Sequence, residues 1–224
     1  MAERIREIGC ILMASGLSER YGKNKLTEKL GSREIILHAA GSLTAAGFSP
    51  LAVTRSIEVK ELLDREGIDC FLHDGPKKSD TIHRGLEHLS PDLDGYLFMP
   101  GDQPLVRPDS LRRMREQFQD SPERAVRLGY GSTAGSPVLF PAFCREKLMA
   151  YTGDRGGAEV LKTERVPCDI LQAEFPWELW DVDTPENMEK VREVYSGAGG
   201  RADTVENQKE GRRYDKREEI LKSL

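Results

Sequence analysis

The sequence has no apolar run approaching the roughly 18 residues that a membrane-spanning helix needs. Four of its first seven residues are charged, and no apolar core of the kind a secretory signal carries is expected behind them. A cytoplasmic protein is the expectation. Cysteine is scarce: Cys10, Cys70, Cys144 and Cys168 lie far apart and form no Cys-x-x-Cys pair. That pattern speaks against a zinc ribbon or a disulfide framework and for small buried thiols in a reducing compartment. Positive charge is not in excess either, since 33 Lys and Arg face 38 Asp and Glu for a net charge of −5. A phosphate backbone attracts basic surfaces, so polymeric nucleic acid is not an expected partner. Histidine is rare as well. His83 and His88 sit about 140° apart around one predicted helix and share no ligand face, and His38 and His73 have no ligand partner nearby in sequence. All four read as structural. No internal repeat is present.

What the chain does have is enough apolar content, 38% of 224 residues, to bury one sizeable core. Short apolar runs alternate with helical periods, the pattern of an α/β layer fold with a mostly parallel sheet. The expected strands are 8–12, 51–54, 69–72, 96–99, 125–128, 138–140 and 169–171. The expected helices are 34–46, 58–66, 81–89, 108–118, 143–151, 158–162 and 185–195, the first two closed by Gly47 and Gly67. Residues 1–195 are thus expected to form a single domain. From Ser196 the chain turns to Gly-Ala-Gly-Gly and then to mixed charges with few apolar residues, a composition that cannot offset the entropy of ordering. The expectation for 196–224 is a disordered charged tail, with at most a fraying helix over 216–224.

The first strand runs directly into Ser15-Gly16-Leu17-Ser18-Glu19-Arg20-Tyr21-Gly22-Lys23-Asn24-Lys25. Glycines that let backbone N–H groups approach closely, with Arg20, Lys23 and Lys25 supplying charge, suit a phosphate-wrapping loop. An ordinary strand-to-helix turn with solvated charges is the plainer alternative. The spacing fits neither common nucleotide loop. A P-loop needs four residues before its Gly-Lys pair and then Ser or Thr, whereas five separate Gly16 from Gly22 and Asn24 follows Lys23. No Gly-x-Gly-x-x-Gly occurs in the loop.

Gly101-Asp102-Gln103-Pro104 follows the most apolar strand, which places Asp102 at the carboxyl edge of the sheet, where open α/β folds bind ligands. A carboxylate there suits Mg²⁺ held jointly with phosphate oxygens, and a turn-forming Asp before Pro104 is equally compatible with the spacing.

The loop resembles the Leu-Ala-Ala-Gly-x-Ser-x-Arg-x-Gly-x-x-Lys signature of the MobA-like nucleotidyltransferases, matching at Leu12, Ala14, Gly16, Ser18, Arg20, Gly22 and Lys25, with Met13 and Ser15 replacing the two alanines. Gly101-Asp102-Gln103-Pro104 resembles the family's Gly-Asp-x-Pro. Trp180-Asp181-Val182-Asp183-Thr184-Pro185-Glu186 resembles its C-terminal Asp-Ile-Asp-Thr-Pro-Glu. By alternation along an extended segment Asp181 and Asp183 point the same way, and Thr184 before Pro185 is also a helix cap. Further likeness lies at residues 78–86, at Gly135-Ser136-Pro137-Val138-Leu139-Phe140 and at Thr152-Gly153-Asp154-Arg155-Gly156, so that residues 8–192 are covered. The blocks are most similar to the molybdenum cofactor cytidylyltransferase branch. Ser136 replaces the usual histidine there, and Gly157-Ala158 stands where Ala-Arg is common.

The resemblance implies a Rossmann-like, three-layer nucleotidyltransferase fold. It also implies catalytic roles for Lys25, Arg20 and Asp102, nucleotide binding by Leu12, Met13, Ala14, Ser15, Gly16, Ser18, Lys25, Ser79 and Asp102, and Mg²⁺ as cofactor on Asp102 and Asp183, with Asp183 favoured over Asp181. Gly135, Ser136, Pro137, Gly153 and Asp154 would hold a phosphorylated acceptor. The implied partners are an NTP, with CTP favoured, molybdopterin as acceptor, and a recipient molybdoenzyme. Other readings of the same blocks are guanylyl or sugar- or polyol-phosphate transfer, and a nucleotide-binding accessory protein for a molybdoenzyme that turns nothing over.

Overall fold

Residues 5–16 and 24–197 are described by the computed structural model of the protein. Ser18, Arg20, Gly22 and Lys23 of the glycine loop, and the expected tail from residue 198 on, lie outside the described residues.

The strand β1 (Ile8–Ala14) is apolar throughout because both of its faces are covered. Cys10, Leu12 and Ala14 pack into one buried cluster, and Ile11, with Met13 beside it, packs into another on the opposite face. That alternation is the period of two of a strand. The chain continues through a two-stranded hairpin, β2 (Lys29–Leu30) and β3 (Arg33–Glu34), into α1 (Ile35–Ala45), β4 (Pro50–Thr54), α2 (Ile57–Arg65), β5 (Cys70–Leu72), α3 (Lys78–Glu87) and β6 (Gly95–Pro100). Then follow α4 (Pro108–Asp120), β7 (Ala125–Tyr130), β8 (Thr133–Pro141), α5 (Arg145–Ala150), α6 (Ala158–Thr163), β9 (Cys168–Gln172) and α7 (Pro185–Gly197).

The central sheet has seven strands in the order β5-β4-β1-β6-β8-β7-β9. Every neighbouring pair is parallel except those made by β8, which is antiparallel to both β6 and β7. Residues of α1, α2, α4 and α7 fill the cluster on one face, and residues of α3, α5 and α6 fill the other. The result is a three-layer, single-domain α/β fold, as the alternation of runs leads one to expect.

Three local features depart from that expectation. β8 begins at Thr133 rather than at 138, because β7 turns directly into it through the two-residue loop Gly131-Ser132, with Gly131 at φ +57°. The helix α3 starts three residues early: the Asp80 carboxylate accepts from the Lys77 N–H at 2.9 Å and caps the first turn, which brings Ser79 into the helix. The two-residue strands β2 and β3 are too short to leave any period in the sequence. The expected thiols are as read: Cys10, Cys70 and Cys144 are buried and unpaired, and burial pushes the Cys70 thiol up to about 12 and that of Cys144 to about 11. No described helix is long and apolar enough to cross a membrane.

Candidate functional site

The strand order reverses beside β1, with β4 on one flank and β6 on the other, and the crevice at the carboxyl ends of such a reversal is where this architecture takes ligands. Here the crevice is bounded by residues 14–16 after β1 and residues 101–103 after β6. The two segments are tied together by the Gly101 N–H, which donates to the Met13 carbonyl at 2.9 Å. Gly101 has no room for more: a Cβ there would sit 2.6 Å from Ile36 Cδ1. On the other flank the Thr54 hydroxyl donates to the Ala14 carbonyl at 2.9 Å.

Lys25 rises from a short 3-10 turn (Lys25–Thr27) that Asn24 caps by accepting from the Leu26 N–H. Its stem passes beside Gly16, and its Nζ donates to Asp102 Oδ2 and to Asp183 Oδ1, each at 2.6 Å. The Lys25 side chain is 7% exposed, that of Asp102 22% and that of Asp183 52%. Burial works to lower the Lys25 pKa, and the charges and hydrogen bonds of the two carboxylates outweigh it, so the ammonium is held above its ordinary value. The Val182 N–H donates to the Asp102 carbonyl at 3.0 Å, fixing the segment that carries Asp183 against residue 102. Thr184 Oγ1 accepts from the Asn187 N–H and caps α7, so the capping role read from the sequence is present alongside Asp183.

Two hard carboxylate oxygens that share one nitrogen at 2.6 Å lie within about 5 Å of each other, a span that Mg²⁺ closes with ligands at about 2.1 Å after small adjustments. Among the described residues no group of three or more metal-ligating side chains forms. The donor set therefore fits a hard cation that takes its remaining ligands from phosphate and water, and not one held in an all-protein cage. Asp181 has a different place: Gln103 Nε2 donates to its Oδ1 at 2.7 Å. Protein packed around the Asp181 carboxyl, and next the charge of Asp102, push its pKa up to about 6, although the residue as a whole is exposed and water screens part of that shift.

Of the residues expected at the nucleotide, Leu12 is fully buried in the core, so its side chain is structural and only its backbone belongs to the strand that carries the loop. Met13 is half-buried against the opposite cluster, Ala14 is buried, and Gly16 is exposed. Ser15 donates to the Val53 carbonyl at 3.1 Å and contacts His73 Nε2 at 2.7 Å. Ser79 is 1% exposed, and its hydroxyl has no partner among the described residues. Of the residues expected at the acceptor, Gly135 accepts through its carbonyl from Arg127, as Ala134 does, and Pro137 is buried in β8 next to half-buried Ser136. Because β8 runs antiparallel to β6 with Val138 opposite Phe98, its first half lies at the same sheet edge as Asp102. Gly153 and Asp154 are joined to α3 instead: the Gly153 carbonyl accepts from the Ser79 N–H at 3.0 Å and Asp154 Oδ1 from the Lys78 N–H at 3.3 Å.

Sequence reasoning missed His73, Arg55, Gln103 and Glu178. Glu178 is fully buried. Its carboxylate accepts from the backbone N–H groups of Arg107, Glu174 and Phe175, and so ties the segment leading to Asp181 and Asp183 onto the start of α4. Burial pushes its pKa up against those hydrogen bonds. Glu178→Ala leaves those three donors without their acceptor, so we expect a loss of about 2–4 kcal/mol, read as a drop of roughly 5–15 °C in thermal melting. A melting temperature within about 2 °C of wild type would show that the segment is held by other contacts.

Residues 10–168 match the MobA-like NTP transferase domain. The chain is 27% identical to the purine catabolism protein PucB of Bacillus subtilis over 203 residues, covering 83% of this chain and 96% of the relative. It is 22% identical to the probable molybdenum cofactor guanylyltransferase of Pyrococcus furiosus over 196 residues, again 83% and 96%. Among solved structures, the Rv0371c protein of Mycobacterium tuberculosis in complex with manganese superposes with a TM-score of 0.71 at 21% identity, covering 84% of this chain and 98% of that one.

Proposed function

Because the chain belongs to the MobA-like NTP transferase family, we propose that it transfers CMP from CTP to the terminal phosphate of a small-molecule acceptor, molybdopterin, and releases pyrophosphate. The observation that carries the transfer reading is the convergence of Lys25, Asp102 and Asp183 at the carboxyl ends of β1 and β6. An oxygen of the acceptor phosphate attacks the α-phosphorus. The new P–O bond forms as the bond to the bridging oxygen breaks, and that electron pair leaves with pyrophosphate. Such a reaction asks the protein to align reactants and neutralise developing charge more than to supply a strong base. Lys25 and Arg20 take the phosphates, residues 14–16 and Ser79 the nucleoside, and Gly135, Ser136, Pro137, Gly153 and Asp154 the acceptor. Asp102 and Asp183 hold Mg²⁺, which when bound offsets negative charge on the triphosphate. Manganese in the M. tuberculosis relative supports a divalent ion of this kind.

The base is read from Ser15. A side chain at that position narrows the space over the loop backbone, which a pyrimidine tolerates better than a purine, and discrimination of that sort amounts to roughly 10- to 200-fold. We expect kcat/KM to favour CTP over GTP by that factor and Ser15→Gly to erode the preference. A wild-type protein that favours GTP would replace cytidylyl with guanylyl transfer, the reading that the name of the P. furiosus relative supports. The deciding experiment incubates the purified protein with each NTP, Mg²⁺ and molybdopterin, bare or molybdate-loaded, and measures pyrophosphate. If none of the NTPs gives pyrophosphate, the reading is removed, and release that does not depend on molybdopterin would move it to another acceptor.

A further inference from the structure

His73 follows β5 and Arg55 follows β4, and since Thr54 pairs with Leu72 the two residues stand level at the sheet edge. Across from them are Ser15, after β1, and Ser79 and Thr81, in the first turn of α3. His73 Nε2 lies 2.7 Å from Ser15 Oγ and 3.3 Å from Thr81 Oγ1, so one imidazole spans the gap between the β1 loop and α3. The His73 backbone is fixed in turn by its N–H donating to the Thr54 carbonyl at 3.1 Å.

The hydroxyl of Ser15 has one proton, and it goes to the Val53 carbonyl. The 2.7 Å contact is therefore an Nε2–H donating to Ser15, which assigns the tautomer and leaves Nδ1 as a bare acceptor. Burial and then the charge of Arg55 hold the His73 pKa below its ordinary value, which keeps the ring neutral at physiological pH. Three residues of these segments carry buried polar atoms without partners among the described residues: His73 at Nδ1, Arg55, whose charge acts on the His73 ring, at Nε and Nη1, and Ser79, two residues before Thr81 in α3, at Oγ. Most buried polar groups in proteins find a partner, so these unpartnered atoms are open to completion by the hydrogen bonds of a ligand.

We propose that His73 determines nucleobase selectivity: by pinning Ser15 across the gap it bounds the base subsite at the width of a pyrimidine, and with Arg55 and Ser79 it presents the polar edge that reads the base. The inference rests on the nucleotide-binding reading above. Cytosine offers acceptors at O2 and N3 and a donor at its 4-amino group. The guanidinium of Arg55 complements the acceptors, and His73 Nδ1 and Ser79 Oγ complement the donor.

The test compares wild type, His73→Ala and His73→Gln in kcat/KM for CTP and GTP, and in Kd for the two magnesium nucleotides by calorimetry. His73→Ala frees Ser15 and widens the gap, so the CTP-to-GTP ratio should fall at least about tenfold, mostly through KM, with kcat for CTP within about threefold of wild type. His73→Gln, which retains a side-chain donor, should keep most of the ratio. An unchanged ratio in a folded His73→Ala, a His73→Gln that behaves like alanine, or a wild type that prefers GTP would each overturn the proposal. Selective CTP binding that is lost in His73→Ala, in a protein that transfers nothing, would sustain His73 as the selector and remove the transferase reading instead.

Discussion

Asp102→Asn and Asp183→Asn are each expected to cut turnover at least about a hundredfold, because each removes a charge from the pair proposed to hold Mg²⁺ while conserving size. Their effects on stability should differ. Asp183 is half exposed, and an exposed ion pair contributes about 0–1 kcal/mol, so Asp183→Asn should move the melting temperature by no more than about 2–4 °C. Asp102 is more enclosed and faces the buried Lys25 ammonium, so its loss should lower melting further, although Lys25 keeps Asp183 as a partner. The measurement is pyrophosphate release across a magnesium titration, with melting curves alongside. Wild-type turnover by Asp102→Asn at every magnesium concentration would end its metal role. Damage from Asp181→Asn with none from Asp183→Asn would exchange the two aspartates, and the contact that places Asp181 on Gln103 and not on Lys25 argues against that result.

What the sequence made legible follows from the range of the interactions involved. Strands buried on both faces, such as β1 and β6, leave continuous apolar runs, and the helices between them leave a period, so the layers and the parallel half of the sheet could be read directly. The first half of β8 could not, because Thr133-Ala134-Gly135-Ser136 has no strand-like apolar pattern and is held by pairing to β7 and by Arg127. Lys25, Asp102 and Asp183 were legible only because each lies in a recognisable block; Lys25 and Asp183 are 158 positions apart, and nothing in spacing alone joins them. His73 and Glu178 lie in no such block, and Gln103 fills the unspecified position of Gly-Asp-x-Pro. Their partners are 58, 78 and 71 positions away, at Ser15, Asp181 and Arg107, and their roles exist only once the chain is folded. Leu12 shows the opposite failure: it belongs to the motif through its position in the strand, while its side chain belongs to the core.

Lys25→Met is expected to lose about a thousandfold in turnover and, at the same time, to bind a free divalent cation more tightly than wild type. The first effect follows from removing the positive donor proposed to neutralise charge on the transferred phosphate, the kind of contact whose loss costs about 10²–10³ in rate. The second follows from the geometry of the resting site. The ammonium stands 2.6 Å from both carboxylates that are proposed to hold the metal, so an ion between the same oxygens would lie within a few ångströms of Nζ. At 4 Å and an effective dielectric of about 20, a unit charge opposes a divalent ion by roughly 8 kcal/mol, enough to make the two arrangements alternatives. In wild type, then, the metal should enter with the nucleotide, whose phosphates give Lys25 new partners. Methionine keeps a long apolar stem in the buried space without the charge, and the two aspartates are left to attract a cation directly. Manganese titration without nucleotide, followed by calorimetry or electron paramagnetic resonance, reads the affinity, and pyrophosphate release reads the turnover. Equal or weaker manganese binding by Lys25→Met would show that lysine and metal do not compete for Asp102 and Asp183, and near wild-type turnover would remove Lys25 from the phosphates.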